Sequence, residues 1–114
     1  MLDVTKKISN LLKDIAHVEL AGSEADLILP SIYIEMVSNA TEQAFDYKDF
    51  LTKFIYQLDV YAETPQRCCE IAAAIDEVMQ ADGWQRSNGV LMGRQRYVLT
   101  YTALVSEKYD TYKE

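Results

Sequence analysis

Apolar residues recur at helical spacing in two stretches of the chain. The first stretch predicts a helix over residues 3–17, capped by Asp3, with a stripe of Val4, Ile8, Leu11, Leu12 and Ile15. The second predicts a helix over residues 65–82, because Thr64 can cap it, Pro65 suits its first position and Gly83 can stop it. Its apolar stripe comprises Cys68, Ile71, Ala72, Ile75, Val78 and Met79.

Period-2 alternation predicts strands in the remaining apolar stretches. Residues 27–37 form the first, with Pro30 at its start or on an edge, because proline cannot donate to a ladder. Residues 50–62 give the strongest signal, since Phe54, Tyr56, Leu58, Val60 and Ala62 alternate with mostly polar neighbours. Residues 84–87 and 96–106 predict a closing hairpin that turns at Asn88-Gly89, with Gly93 extending the turn or forming a bulge.

These elements occur in the order α-β-β-α-β-β within one domain covering residues 1–114. The simplest architecture is α+β, an antiparallel sheet of about four strands with two helices packed on one face. Residues 38–49 have no clean period and predict a long polar connection, and residues 107–114 predict a short charged C-terminal tail.

Charge and cysteine content narrow the class of protein. The net charge of −7 disfavours tight nucleic-acid binding, which needs clustered Lys and Arg. No apolar run is long enough to span a membrane, and the N-terminus lacks the apolar core of a signal peptide. Adjacent Cys68 and Cys69 rarely bridge each other and predict a reducing compartment, so we expect assembly in the cytoplasm.

No residue pattern predicts catalysis, a metal site or a cofactor. His17 is the single histidine, and we expect it at the C-terminal end of the first helix, where the helix dipole favours a positive charge. Cys68 could have a lowered pKa near a helix start, but its place on the apolar stripe favours an inert core thiol. The acids Glu35, Asp59, Glu70, Asp76 and Glu77 are expected on solvated faces. The chain is therefore predicted not to be an enzyme.

Two aromatic or apolar groups next to charged residues predict an interface instead. Phe45, Tyr47 and Phe50 lie in or beside the polar connection, which also carries Asp46 and Asp49. The second group lies at the hairpin and comprises Arg86, Leu91, Met92 and Arg94. Because apolar residues rimmed by charge are typical of interfaces, we expect these groups to meet between subunits, in a contact that weakens at high salt.

The middle of the chain resembles a family of phage proteins. Phe54–Pro65 (FIYQLDVYAETP), then Glu70–Met79 (EIAAAIDEVM) and Gly83-Trp84, are similar to the tail-completion, or tail terminator, proteins of long-tailed bacteriophages and prophages. The likeness is a pattern of strand, helix and closing hairpin that extends over most of the chain.

The resemblance implies a structural virion protein that forms a homo-oligomeric ring of about six subunits. Such a ring caps the tail tube and joins it to the head connector, without a cofactor, while DNA passes through the lumen as cargo. Its location would be the virion tail, after assembly in the bacterial host cytoplasm. Other head–tail connector or minor capsid proteins, a small host protein-binding module, and an enzyme whose site is assembled between subunits stay open as alternatives.

Overall fold

The alternating residues of the predicted central strand form the middle of a five-stranded mixed sheet. The computed structural model describes residues 4–20, 28–43 and 50–106. The elements in chain order are α1 (Val4–Leu12), β1 (His17–Leu20), β2 (Ser31–Gln43), β3 (Phe50–Tyr61), α2 (Pro65–Ala81), β4 (Gln85–Met92) and β5 (Arg96–Ser106). The α+β class is confirmed, but the sheet is neither four-stranded nor wholly antiparallel.

The strand order in the sheet is β1-β2-β3-β5-β4. β1 runs parallel to β2, and all other neighbours are antiparallel. Leu58 lies at the centre, opposite Ile34 on β2 and Leu99 on β5, and all three side chains are buried. The apolar stripes of both helices, including Ile8 and Ile75, join the same core. The opposite face of the sheet has no helix against it among the described residues.

The first helix is shorter than its apolar stripe predicted. α1 ends at Leu12, and the backbone N–H of Ile15 then donates to the Leu12 carbonyl at 2.9 Å in a turn. Ile15 still packs against the core from this turn, so the stripe is explained without helix. The expectation that His17 ends a helix is wrong: it begins β1, and its Nε2 lies 2.8 Å from Glu19. Pairing with β2 outweighs the local helical preference here.

The predicted connection at residues 38–49 is partly strand. β2 begins directly after Pro30, as expected for a proline at a strand start, but it continues to Gln43. A bulge between Met36 and Ser38 shifts the register and lets pairing with β3 continue. The bulge breaks the simple alternation, which is why the sequence pattern failed to predict strand beyond Val37. Residues 44–49 lie outside the described residues.

The closing hairpin turns later than Asn88-Gly89. Both residues lie within β4, beside a bulge between Arg86 and Asn88, and the turn lies between Met92 and Arg96. Gly93 has a φ of 69° and supplies the left-handed conformation there. Gly89 instead lies close to β5, and a Cβ at this position would lie 3.3 Å from Leu99 Cδ2, so that side chain would have to shift slightly. Its glycine therefore signals close packing and not a turn.

The start of α2 was predicted correctly. Thr64 has extended backbone angles, and its Oγ1 accepts a hydrogen bond from the Arg67 N–H at 3.1 Å. Pro65 is the first helical residue, and Gly83 follows the helix with a φ of 98°. The N-cap satisfies one of the N–H groups that a helix start leaves without an intrahelical partner.

We expect Thr64→Ala to lower the free energy of unfolding by about 1 kcal/mol, because it removes this cap. Urea denaturation measures the loss. Thr64→Ser keeps a hydroxyl acceptor and should restore nearly all of the stability. Equal stability of the alanine variant and wild type would contradict the capping role.

Candidate functional site

The main feature of the described surface is a pair of uncovered sheet edges. β4 lies at one end of the strand order and, among the described strands, has a neighbour on one side only. At the other end, β1 pairs only with Ser31–Ile34 of β2. The rest of β2, Glu35–Gln43, therefore has no strand beyond it among residues 4–20, 28–43 and 50–106. An uncovered edge presents unpaired N–H and C=O groups that can pair with another chain.

The β4 edge carries apolar side chains on both faces of the sheet. Val90, Leu91 and Met92 are 43%, 40% and 48% exposed. Leu91 pairs with Tyr97 on the helix-covered face, whereas Met92 pairs with Arg96 on the uncovered face. Arg94 lies just beyond, exposed in the turn. Soluble proteins usually protect such an edge with charge or a covering element, so three exposed apolar residues in a row make this edge a candidate contact surface.

The β2 edge combines acidic and apolar residues. Met36 and Val37, at the bulge, are 48% and 54% exposed, and Glu35 before them is also exposed. Of the eight exposed large apolar residues in the described part of the chain, five lie on these two edges. The remaining three are Leu20, Ile28 and Leu104. The sequence pattern missed the β2 edge because it assigned residues after Val37 to a loop.

The structure brings together part of the predicted interface. Leu91, Met92 and Arg94 lie close together at one end of β4, with Leu91 and Met92 on opposite faces of the sheet. Phe50 begins β3 and pairs with Gln43, so it belongs to the far end of the β2–β3 pair. Two further predicted interface residues, Phe45 and Tyr47, and the acids Asp46 and Asp49 lie outside the described residues.

The remaining predicted interface residue, Arg86, faces α2. Its Nη1 lies 3.7 Å from Asp76 Oδ2, and both residues line a groove of about 240 Å³ between α2 and the sheet. Cys69, Ala72, Ala73 and Tyr97 complete the lining. The Asp76 carboxylate also accepts hydrogen bonds from Tyr101 at 2.8 Å and Gln80 at 2.7 Å. The polar groups in this groove bond to one another, and the contacts of Asp76 with Arg86 and Tyr101 hold α2 against β4 and β5.

Asp76 corrects the expectation that all the acids of α2 are solvated. Glu70 and Glu77 are exposed, but Asp76 is half-buried and holds the hydroxyl of the fully buried Tyr101. Burial, and then the bond to Asp76, raise the pKa of Tyr101 well above its usual range. Burial also raises the pKa of the Cys68 thiol, as expected for an inert core cysteine, whereas Cys69 is exposed.

We expect Tyr101→Phe to lower the free energy of unfolding by about 1–2 kcal/mol at pH 7, because Asp76 loses a charge-assisted hydrogen bond. The raised pKa adds a pH dependence. Tyr101 contributes fully below the unfolded-state pKa of about 10, and its contribution falls as the pH rises further, because only the unfolded chain ionises there. Urea denaturation between about pH 8 and about pH 11, a range that spans the unfolded-state pKa, gives the free energy of unfolding of wild type and of Tyr101→Phe. The two free energies should converge as the pH rises. Parallel curves would contradict the assignment.

The uncovered face of the sheet is held by polar contacts around Arg96. Its Nη2 donates to Asp59 Oδ2 at 2.7 Å, and its guanidinium lies 5.9 Å from the centre of the Tyr61 ring. Tyr61 in turn meets Tyr33 edge to face, with ring centres 5.6 Å apart. Asp59 is thus paired rather than simply solvated. This cluster orders the uncovered face of the sheet between the two edges.

Among the described residues, no group of His, Cys, Asp and Glu side chains could hold a metal ion. No helix in the described ranges is long and apolar enough to cross a membrane. No protein-family model matches the chain, and no curated protein matches it significantly.

Proposed function

We propose that this chain is a structural assembly protein, a tail terminator of a long-tailed bacteriophage or prophage. In this role a ring of about six copies caps the tail tube and joins it to the head connector. The proposal rests on the resemblance of Phe54–Trp84 to that family and on one structural observation. That observation is the pair of unlike, uncovered sheet edges, which carry five of the exposed large apolar residues.

Unlike edges favour a ring because a closed ring needs a head-to-tail contact. In such a contact one patch of each subunit meets a different patch of its neighbour, and the same contact repeats until the circle closes. The β4 patch, with Met92 and Arg94, differs in charge from the β2 edge, which carries Glu35. A two-fold dimer would instead require a self-complementary surface.

The net charge suits the passage of DNA through a ring. A chain with a charge of −7 repels the phosphate backbone, whereas a basic lumen would hold it through counterion release. The work of such a protein is done by interfaces, so the proposal requires neither a cofactor nor an enzymatic activity.

Tail tubes assembled from the tube protein of a long-tailed phage test the proposed function. Electron microscopy of tubes mixed with the purified chain should reveal a ring at one end of each tube, and the capped tubes should stop growing. The other candidates predict different results. A head–tail connector or minor capsid protein would bind the portal or capsid and leave tubes bare, and a host protein-binding module would ignore both.

A further inference from the structure

The two uncovered edges match each other in length. β4 has 8 residues. β2 has 13 residues, of which the first four pair with β1, so on that side nine residues, Glu35–Gln43, have no strand next to them in the part of the chain that the structure describes. The β4 strand of a second copy could therefore pair with this free part of β2, end to end with β1 and without displacing β1.

The strand directions also match. β2 runs antiparallel to β3, β3 to β5 and β5 to β4, so β4 and β2 point in opposite directions within one subunit. If the sheet of one copy continues into the sheet of the next with the same face inward, β4 meets the neighbour's β2 antiparallel. Antiparallel pairing is the more favourable ladder and needs no crossover.

The side chains fall on matching faces in one register. Met92 lies on the uncovered face, in line with Arg96 and Tyr61, and Glu35 lies on the same face, opposite Gln57. Leu91 and Met36 both lie on the helix-covered face. Placing Met92 opposite Glu35 thus puts Leu91 opposite Met36, and it covers exposed apolar surface on both strands.

Charge favours the same arrangement. Arg94 follows Met92 in the turn, and in this register it approaches the part of the neighbour that carries Glu35 and, on β1, Glu19. The β4 strand and its turn carry Arg86 and Arg94 and no acidic residue. Residues of opposite sign on the two edges steer the pairing of β4 with β2 and oppose the pairing of β4 with another β4.

The register requires a stagger between neighbouring subunits. Within one subunit Met92 pairs with Arg96, Arg96 with Tyr61, and Tyr61 with Ser31. Met92 and Ser31 therefore lie at the same height along the strands. Pairing Met92 with Glu35 of the next copy shifts that copy along the strands by about four residues, or roughly 13 Å. A constant stagger of this kind is compatible with a closed sheet when the strands tilt relative to the ring axis, as they do in β-barrels.

We propose that β4 of one copy adds as a strand to the Glu35–Gln43 edge of β2 in a second copy of this chain, so that the ring is closed by a continuous sheet. This inference rests on the proposed function, because it names the contact by which that ring would form. The occupant of each edge is the opposite edge of an identical subunit.

Disulfide coupling of Glu35→Cys with Met92→Cys tests the pairing, in a Cys69→Ala background that removes the native exposed thiol. Within one subunit these positions are separated by about 14 Å across the sheet and by a further four residues, about 13 Å, along it, which is too far for a disulfide. Oxidation should therefore give a ladder of covalent multimers. The two variants that each carry only one of the added cysteines, Glu35→Cys or Met92→Cys, should when mixed give covalent dimers only, because the remaining Cys68 is buried. A Glu77→Cys, Met92→Cys chain is the matched control and should couple only at the low rate of random collision.

The outcomes separate this inference from the proposed function. Efficient coupling of the 35–92 pair, with little coupling of the control, supports strand addition. Assembly seen by sedimentation without coupling above the control overturns the strand pairing while leaving the ring intact. Absence of assembly in both wild type and single-cysteine variants, with tail tubes present, overturns the ring and the pairing together.

Discussion

A Met92→Asp, Arg94→Glu double variant is expected to stay folded and to remain monomeric under conditions in which the wild type assembles. Met92 is 48% exposed and Arg94 is exposed, so neither change disturbs the core. The aspartate places a charge in an apolar contact, and the glutamate faces the neighbour's acidic edge. Like charges across an interface cost several kcal/mol, enough to lower the association constant by more than 100-fold.

Sedimentation velocity measures the association, and circular dichroism confirms the fold. A Met92→Leu, Arg94→Lys variant keeps the apolar contact and the charge and serves as the matched control, which should assemble. Raising the salt concentration should weaken wild-type assembly, because exposed charges are screened over about 10 Å at 0.1 M. An assembled double variant would mean that the turn of the closing hairpin lies outside the interface.

Leu58→Ala is expected to have the largest effect on stability, lowering the free energy of unfolding by about 2–5 kcal/mol. Leu58 is fully buried in the central strand between Ile34 and Leu99, so the truncation leaves a cavity that rigid neighbouring strands cannot fill. For a domain with a typical stability of about 5–15 kcal/mol this is a large fraction of the total.

Leu104→Ala provides the matched control on the same sheet. Leu104 is 55% exposed, so the same truncation should change the free energy by less than about 0.5 kcal/mol. Chemical denaturation of both variants gives the comparison. Similar losses at the two positions would contradict the core described for this fold.

The sequence predicted the elements whose pattern is local. Alternation from Phe54 to Ala62 gave the central strand, and Thr64-Pro65 and Gly83 gave both ends of α2. In each case the signal and the structure depend on the same neighbouring residues, so no distant contact could change the outcome.

The errors arose where distant contacts decide. His17–Leu20 is a strand because β2 lies beside it, and Gly89 belongs to a strand because Leu99 lies against it. Asp76 was expected in solvent, yet it holds Tyr101 from 25 residues away in the chain. None of these contacts can be read from a single sequence, because they depend on which strands pair and which elements pack together. For the same reason Leu91 and Met92 were predicted only as apolar residues near charge, and not as part of a sheet edge.

The native mass of the purified chain tests the central proposal of ring assembly most directly. Sedimentation equilibrium over a range of concentrations, with and without tail tubes, should detect one closed species of about six times the 13.0 kDa chain mass. A closed ring stops at that size, whereas an open head-to-tail contact would give filaments of no fixed length. A mass that stays at 13.0 kDa at every concentration, and with tail tubes present, would contradict the proposal.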